Sequence, residues 1–524
     1  MQPPPIKVTS LPVKKMRELL SENSITDVWT GLLKARISEN DGFHSLLTED
    51  PFISAPLVPD LLKDLSIGAV AVLYEFSLAE SHRENRAASG QFFTPDDAAW
   101  FLAEKSLSFP EGVWLDPCSG VGNLSYWLTS VQNDPRSFLE NSLIIADRDP
   151  LAVSVATLLL SMAFGDVETY RKVNKRAIVR DFLEEETVPH DFVIANPPYV
   201  VTKPDTRFRT AEAKDLYAYF LERIVASSKG WITVTPQSFT NNEKFSSLRQ
   251  VLTEKDNGLD IYVFDNIPVA FFNGVKFGTT NTNTKNSTRA AVMVSNPESK
   301  ARNITPMLRW QGKNRRELFD RAGEFLSPLR EKEPSYDGLF METGLPFPKV
   351  EKPLIGLYSS LLGKPKLSYL LSTKKTPHKL SMAASPRYFT SAVERDLERN
   401  SIIDLYFSDE ETKEAMYLYL NSSLPYWWWR VFDGGMTLAR GTIEDLPLLY
   451  SVEELNDKKF ASLLKKLHKS EKDNLVVKKN AGKMIENVKH PESLAMEVDS
   501  ALFPEYAKPL RSSHNNTSWE TLKF

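Results

Sequence analysis

Asp191-Phe192-Val193-Ile194-Ala195-Asn196-Pro197-Pro198-Tyr199 is the stretch that decides the fold. Phe192 to Ala195 form a short continuous apolar run, the pattern of a strand buried on both faces of a parallel sheet. Pro197 and Pro198 end it. Each lacks the N–H that a ladder needs and each locks φ, so the chain beyond Ala195 is a rigid loop at the rim of a site. The side-chain oxygen of Asn196 and the carbonyl of Pro197 are acceptors of the kind that hold an exocyclic amino group. Tyr199 offers a ring on which a planar group can stack.

Similar runs recur on both sides. Val113-Trp114-Leu115, Leu143-Ile144-Ile145, Ala177-Ile178-Val179, Trp231-Ile232-Thr233-Val234 and Ile261-Tyr262-Val263-Phe264 bring the candidate strands to six, and Ala290-Ala291-Val292-Met293-Val294 adds a seventh. Helix-like segments such as Leu151 to Met162 and Leu216 to Ala226 lie between them. The alternation predicts a Rossmann-like α/β fold: a seven-stranded, mostly parallel sheet with helices on both faces. Residues 1–88 read as an N-terminal helical extension, with Leu19, Leu20, Leu32, Leu33, Leu61, Leu62 and Leu65 on recurrent apolar faces, and carry no catalytic constellation. The strand–helix rhythm fills residues 89–296, where Gly278 to Ser287 is a polar loop. Residues 297–524, richer in Pro, Lys and aromatics, form a separate mixed α/β domain.

Composition narrows the function classes. A length of 524 residues calls for two or three domains. The opening Met-Gln-Pro-Pro-Pro-Ile has no apolar core of signal-peptide length, and no run is long enough to span a bilayer, so a cytoplasmic protein without membrane contact is expected. One cysteine, Cys118, excludes an internal disulfide framework and a multi-cysteine zinc site, and no metal is expected. A net charge of −4 argues against nonspecific coating of nucleic acid, so any such contact must come from local basic patches. Lys364, Lys366, Lys374, Lys375, His378, Lys379 and Arg387, interleaved with Tyr369, Tyr388 and Phe389, make one. Lys465, Lys466, His468 and Lys469 make another, which also suits a solvated face.

Upstream of the tetrad, Leu115-Asp116-Pro117-Cys118-Ser119-Gly120-Val121-Gly122-Asn123-Leu124 follows the first strand and opens a helix. Gly120 and Gly122 let the backbone turn tightly and approach a ligand. Asp147 ends the second strand, where a Rossmann-like fold binds ribose hydroxyls. Asp181 and Phe182 end the third, an acceptor and a ring suited to an adenine. Each acid alone is also what a helix N-cap or a solvated loop uses. Their series, ending in the tetrad, argues for a nucleotide-type cleft. Gly90-Gln91-Phe92-Phe93-Thr94-Pro95 precedes a helix that Thr94 or Asp96 can cap.

In this order the motifs resemble those of the gamma-type DNA adenine-N6 methyltransferases of restriction-modification systems. The likeness runs from residue 90 to about 295, through Leu216-Tyr217-Ala218-Tyr219-Phe220-Leu221, Gly230 to Pro236 and Phe264 to Phe272. It implies an S-adenosylmethionine cofactor held by Thr94, Asp116, Gly120, Asp147 and Asp181, with Pro95, Pro117, Gly122, Asp149 and Phe182 beside them. It implies that Asn196, Pro197, Pro198 and Tyr199 hold a flipped adenine of double-stranded DNA. Phe272 is chosen over Phe271 and Phe277 as the second aromatic on that base. Lys203, Arg207 and Arg209 are candidates for the flanking phosphates. Asn421 to Arg430, with Trp427-Trp428-Trp429, then Asp433-Gly434-Gly435 and Asp445-Leu446-Pro447-Leu448, resemble the ending of a target-recognition domain, though the tryptophans also suit a plain core. A cognate restriction endonuclease or other host-defence subunits are the partners this implies. The competing readings are an RNA or protein-glutamine amino-methyltransferase, and a noncatalytic DNA-binding subunit of a larger restriction complex. Cys118 sits in the glycine loop, not at the fourth strand, and is read as a structural or cofactor-lining thiol.

Overall fold

The computed structural model describes residues 12–81, 94–184, 186–266, 270–272, 288–310, 315–329, 344–386, 388–432, 437–480 and 483–512. Two compact units emerge, one of residues 1–237 and 247–303, the other of residues 238–246 and 304–524.

The first unit begins with α1 (Val13–Glu22), α2 (Ile25–Ser38), α3 (Ile67–Ser81) and α4 (Asp96–Lys105). It continues with β1 (Trp114–Asp116), α5 (Asn123–Ser130), α6 (Pro135–Asn141), β2 (Leu143–Asp147), α7 (Pro150–Phe164), α8 (Val167–Arg176), β3 (Ile178–Val179), β4 (Phe192–Ala195), α9 (Leu216–Ser227), β5 (Gly230–Pro236), α10 (Ser246–Thr253), β6 (Gly258–Phe264) and β7 (Ala290–Asn296). The expected seven strands are joined by β8 (Arg302–Ile304) and β9 (Ser327–Pro328), and the order is β3-β2-β1-β4-β5-β7-β6-β8-β9. The sheet thus has nine strands rather than seven. Arg302-Asn303-Ile304 and Ser327-Pro328 contain no apolar run, so no pattern announces them. Strands β3, β2, β1, β4 and β5 pair in parallel, whereas β7 runs antiparallel between β5 and β6.

Helix starts follow local chemistry. Asp149 caps α7 by accepting from the Leu151 N–H, with Pro150 in the first turn. Asp166 caps α8 in the same way through Thr169. The start of α4 differs from expectation, since neither Thr94 nor Asp96 caps it. Pro95 occupies the cap position, and the Asp96 carboxylate is buried, accepting from Ser66 Oγ at 2.6 Å and Trp127 Nε1 at 3.0 Å. Helices α1 to α3 belong to the same compact unit as the sheet. Val28, Trp29, Leu32, Val70, Leu73 and Tyr74 share one apolar cluster with Val121, Ala152, Val155 and Leu158 of the sheet unit.

The second unit holds α11 (Arg315–Arg321), α12 (Ile355–Leu361), β10 (Lys379–Ala383), β11 (Ala392–Val393), β12 (Ile402–Tyr406), α13 (Glu410–Leu420), α14 (Leu424–Phe432), α15 (Arg440–Glu444), α16 (Val452–Leu455), α17 (Ala461–Asp473), the antiparallel hairpin β13 (Leu475–Asn480) with β14 (Lys483–Val488), α18 (Glu492–Leu502) and α19 (Ala507–Ser512). Strand β10 lies between β11 and β12, antiparallel to both. The tryptophan run on α14 is core: Trp427 and Trp429 are wholly buried among Tyr417, Tyr419, Leu424 and Leu502. Replacing either by Ala would cost about 3–5 kcal/mol. The first basic patch is partly neutralised by Lys366–Asp445, His378–Glu410 and Lys379–Asp396 pairs, while Lys364, Lys374, Lys375 and Tyr369 stay exposed. Arg387 and residues 433–436 lie outside the described residues.

His468 on α17 donates at both ring nitrogens, Nδ1 standing 3.1 Å from Glu394 and Nε2 2.8 Å from Glu414. The Lys413 ammonium reaches Glu394 as well, at 2.5 Å. With a cation already among these carboxylates and no ring nitrogen left over, the cluster is an ion-pair network. The two carboxylates raise His468 from 6.5 to about 10, and His468 together with Lys413 lowers Glu394 from 4.5 to about 2. The raised imidazolium stabilises the fold fully below about pH 6.5 and loses that contribution as pH climbs through 10. The depressed carboxylate contributes above about pH 4.5 and loses it as pH falls through 2. Melting temperature measured against pH is therefore expected to fall on the alkaline side, and His468→Gln to flatten that limb between pH 6.5 and 10. An unchanged alkaline limb in the variant would refute the assignment.

Candidate functional site

The strand order reverses direction at β1, whose neighbours are β2 and β4, and open parallel sheets bind ligands outside the strand ends at such a point. A cleft of about 350 Å³ opens there, in the size range of small-molecule sites. Its wall takes in Thr94, Pro117, Gly120, Asp147, Asp181, Phe182, Asn196, Pro198 and Arg207 from the expected residues.

The glycine loop divides its labour. Gly122 has φ +89°, and a Cβ there would stand 3.0 Å from the Ala156 Cβ, so it serves the packing of α5 on α7. Gly120 has φ +51° and a Cβ on it would meet nothing within 4 Å, so it leaves the cleft open. The Gly120 N–H donates to Asp147 Oδ2 at 2.8 Å and the Asp149 N–H to Asp147 Oδ1 at 2.9 Å, fixing the acid at the end of β2. Asp116 is fully buried. Its Oδ2 accepts from Ser125 Oγ at 2.8 Å while its Oδ1 has no hydrogen bond, and burial pushes the carboxyl up to about 7. Beyond β3, the Asp181 carboxylate accepts from the Leu183 N–H at 2.9 Å and the Phe182 ring packs 5.3 Å from Phe220.

At β4, Asn196 Nδ2 donates to Thr94 Oγ1 at 2.9 Å, and the Tyr199 hydroxyl donates to Asn196 Oδ1 at 2.6 Å, standing 3.0 Å from the Val234 carbonyl of β5. Asn123 Nδ2 in turn donates to the Thr94 carbonyl at 2.6 Å. The loop before α4, the glycine loop and the tetrad are thereby tied together. Tyr199 is only 5% exposed, and Phe272 meets its ring edge-to-face at 5.9 Å. Phe271 packs on Phe264 instead, at 4.8 Å. Phe277 and residues 279–287 lie outside the described residues, as do Gly90 to Phe93. Cys118 lines the cleft with the Asn196 backbone N–H at its sulfur. Burial holds the thiol well above its usual range, so it is neutral rather than a nucleophile.

Of the remaining expected residues, Asp116, Gly122 and Phe272 are buried and not on the cleft wall. Pro95 begins α4, Asp149 caps α7, and Pro197 and Tyr199 are buried beside Asn196. Lys203 is exposed. Arg207 makes a two-pronged pair with Glu184, both contacts 2.7 Å, and a third with Asp205 at 2.6 Å, while Arg209 pairs with Glu254 at 2.5 Å. The sequence reading missed Tyr74 and Glu75 of α3, Asn123, and the Glu184 and Asp205 partners of Arg207, all on the cleft wall. No local signal marked the first two, because only the docking of α3 brings them to the glycine loop.

Residues 141–269 match the Eco57I restriction-modification methylase family. The chain is 27% identical over 218 residues to the type II methyltransferase M.BsuBI of Bacillus subtilis, a match taking in 36% of this chain and 42% of that protein. It thus spans less than half the length of this curated relative. Among solved structures it is similar to a DrdV–DNA complex (TM-score 0.42, 15% identity, 61% of this chain and 40% of that one). It is also similar to the type IIG restriction endonuclease BpuSI (TM-score 0.40, 12% identity, 98% of this chain and 80% of that one). The matched residues, 141–269, carry β2 to β6 and the Asn196–Tyr199 tetrad.

Proposed function

We propose that the chain is a site-specific DNA methyltransferase that moves a methyl group from S-adenosylmethionine to the N6 amino group of an adenine turned out of double-stranded DNA, within a restriction-modification system. The observation that carries this reading is the Asn196 amide held on the wall of the cleft at the β1–β4 switch point.

The residues present fit that cofactor. Gly120 leaves its side of the cleft unfilled, and the buried Asp116 carboxyl, unpartnered at Oδ1, favours a cationic ligand nearby. Asp147 and Asp181 would accept from its hydroxyl and amino groups, and Phe182 would lie against its adenine. When bound, the cofactor supplies an electrophilic methyl on a sulfonium.

The chain's own residues would do the rest. Asn196 Oδ1 and the Pro197 carbonyl would accept both protons of the adenine amine. That aligns the amine nitrogen for in-line attack, where orientation and a polar surround matter more than acid–base groups. The buried hydroxyl of Tyr199, pushed well above its usual range by burial, stays protonated and holds the amide. Tyr199 and Phe272 meet edge-to-face, so a base can lie between them only if the pair parts. Stacking there would return about 1–3 kcal/mol of the cost of flipping. Phosphates would displace Glu184 and Asp205 from Arg207, and residues 297–524 would read sequence, with Lys364, Lys374, Lys375 and Tyr369 as an exposed basic and aromatic surface.

Mass spectrometry of nucleosides from DNA incubated with the protein and methyl-labelled cofactor tests the reaction. N6-methyladenine is expected; methylcytosine, labelled protein or RNA, or no product would each reject it. Asn196→Ala is expected to lower turnover by about 10²–10³-fold in a folded protein, and wild-type turnover in that variant would reject the role of the amide.

Asp116 supplies a second test. Its folded carboxyl, at about 7 against 3.8, penalises the fold increasingly as pH rises from 3.8 through 7. Asp116→Asn should therefore raise the melting temperature of the ligand-free protein at pH 8 by about 2–4 °C, with the gain vanishing towards pH 4, while weakening cofactor binding. An equal or lower melting temperature at pH 8 would contradict this.

A further inference from the structure

Helix α3 belongs to the segment that precedes every cofactor motif in the chain, yet it contributes to the cleft. Ala71, Tyr74 and Glu75 are spaced i, i+3 and i+4, which puts them on one helix face, and all three line the same cavity as Thr94, Gly120 and Asp147. The helix is held there on three sides. Val70, Leu73 and Tyr74 pack with Val121 of the glycine loop and with Ala152 and Val155 of α7. At its start Ser66 Oγ donates to the buried Asp96 carboxylate. In its middle the Tyr74 hydroxyl, 5% exposed as a residue, donates to Asp149 Oδ2 at 2.6 Å. From Asp149 a run of hydrogen bonds continues through its own N–H to Asp147 Oδ1, and from Asp147 Oδ2 to the Gly120 N–H.

We infer that α3 is a wall of the adenosyl-cofactor site, with Glu75 a binding residue and Tyr74 a positioning residue. This rests on the cofactor reading of the cleft given above. The half-buried Glu75 lines the cavity, and its carboxylate would accept from hydroxyl or ammonium donors of the ligand. Tyr74 acts through Asp149: its hydrogen bond fixes the second carboxylate of the Asp147-Arg148-Asp149 turn, and so the orientation in which Asp147 meets the ligand. On this view the N-terminal helices complete the cofactor site rather than merely flank it.

Calorimetric titration of the full-length chain with S-adenosylmethionine tests the inference. Wild type should bind, Glu75→Gln should bind about tenfold more weakly and Tyr74→Phe about threefold or more, with ligand-free melting temperatures close to wild type. A double-mutant cycle of Tyr74→Phe with Asp149→Asn should be non-additive in affinity, a result that general loosening of the helix would not produce. Binding by both single variants within twofold of wild type would overturn the inference and leave the cofactor reading intact. Additive losses in the cycle would overturn the role of Tyr74, and no uptake by wild type would sink the cofactor reading itself. If Tyr74→Phe fails to fold, Glu75→Gln alone carries the test.

Discussion

One hydrogen-bonded series holds the candidate site together: Asn123 to the Thr94 carbonyl, Asn196 to the Thr94 hydroxyl, and Tyr199 to the Asn196 amide oxygen beside the Val234 carbonyl. Thr94 precedes α4, Asn123 opens α5, Asn196 and Tyr199 share the loop after β4, and Val234 lies on β5. Buried as it is, each bond is electrostatically stronger than in water, and an unmade partner would be costly, so the arrangement has little freedom. The amide is thus fixed before any ligand arrives. For a reaction in which alignment does most of the work, that preorganisation is the property the fold has to deliver.

The cleft also concentrates unfavourable electrostatics. Asp116 is fully buried with one oxygen lacking a hydrogen bond, and Asp147 adds to its upward shift. Sites that bind cations commonly store cost of this kind, released when the ligand supplies the missing charge. Elsewhere on the cleft wall Arg207 is already paired with two carboxylates, Glu184 and Asp205.

What the sequence disclosed follows from the range of the interactions involved. The strands at 143–147, 192–195 and 230–236, the two glycines and the tetrad are local patterns, each written in a few consecutive residues, and their order along the chain sufficed to suggest a nucleotide-type cleft. Tyr74 and Glu75 were invisible because their proximity to Gly120 depends on how an apolar helix docks some forty-five residues upstream. The pairing of Arg207 with Glu184 and of Arg209 with Glu254 likewise joins residues 23 and 45 positions apart, and only the folded loops bring them together. The edge-to-face contact of Phe272 with Tyr199 is of the same long-range kind. Strands β8 and β9 escaped for a simpler reason, the lack of an apolar run in Arg302-Asn303-Ile304 and Ser327-Pro328.

The account stands on the claim that the cleft at the β1–β4 switch point holds the methyl donor beside the Asn196 amide. A crystal structure with S-adenosylhomocysteine tests it most directly. Density for the ligand between Gly120, Asp147 and Phe182, with its sulfur turned towards Asn196, is the predicted result. A ligand bound elsewhere, or one whose sulfur faces away from Asn196, would contradict the account.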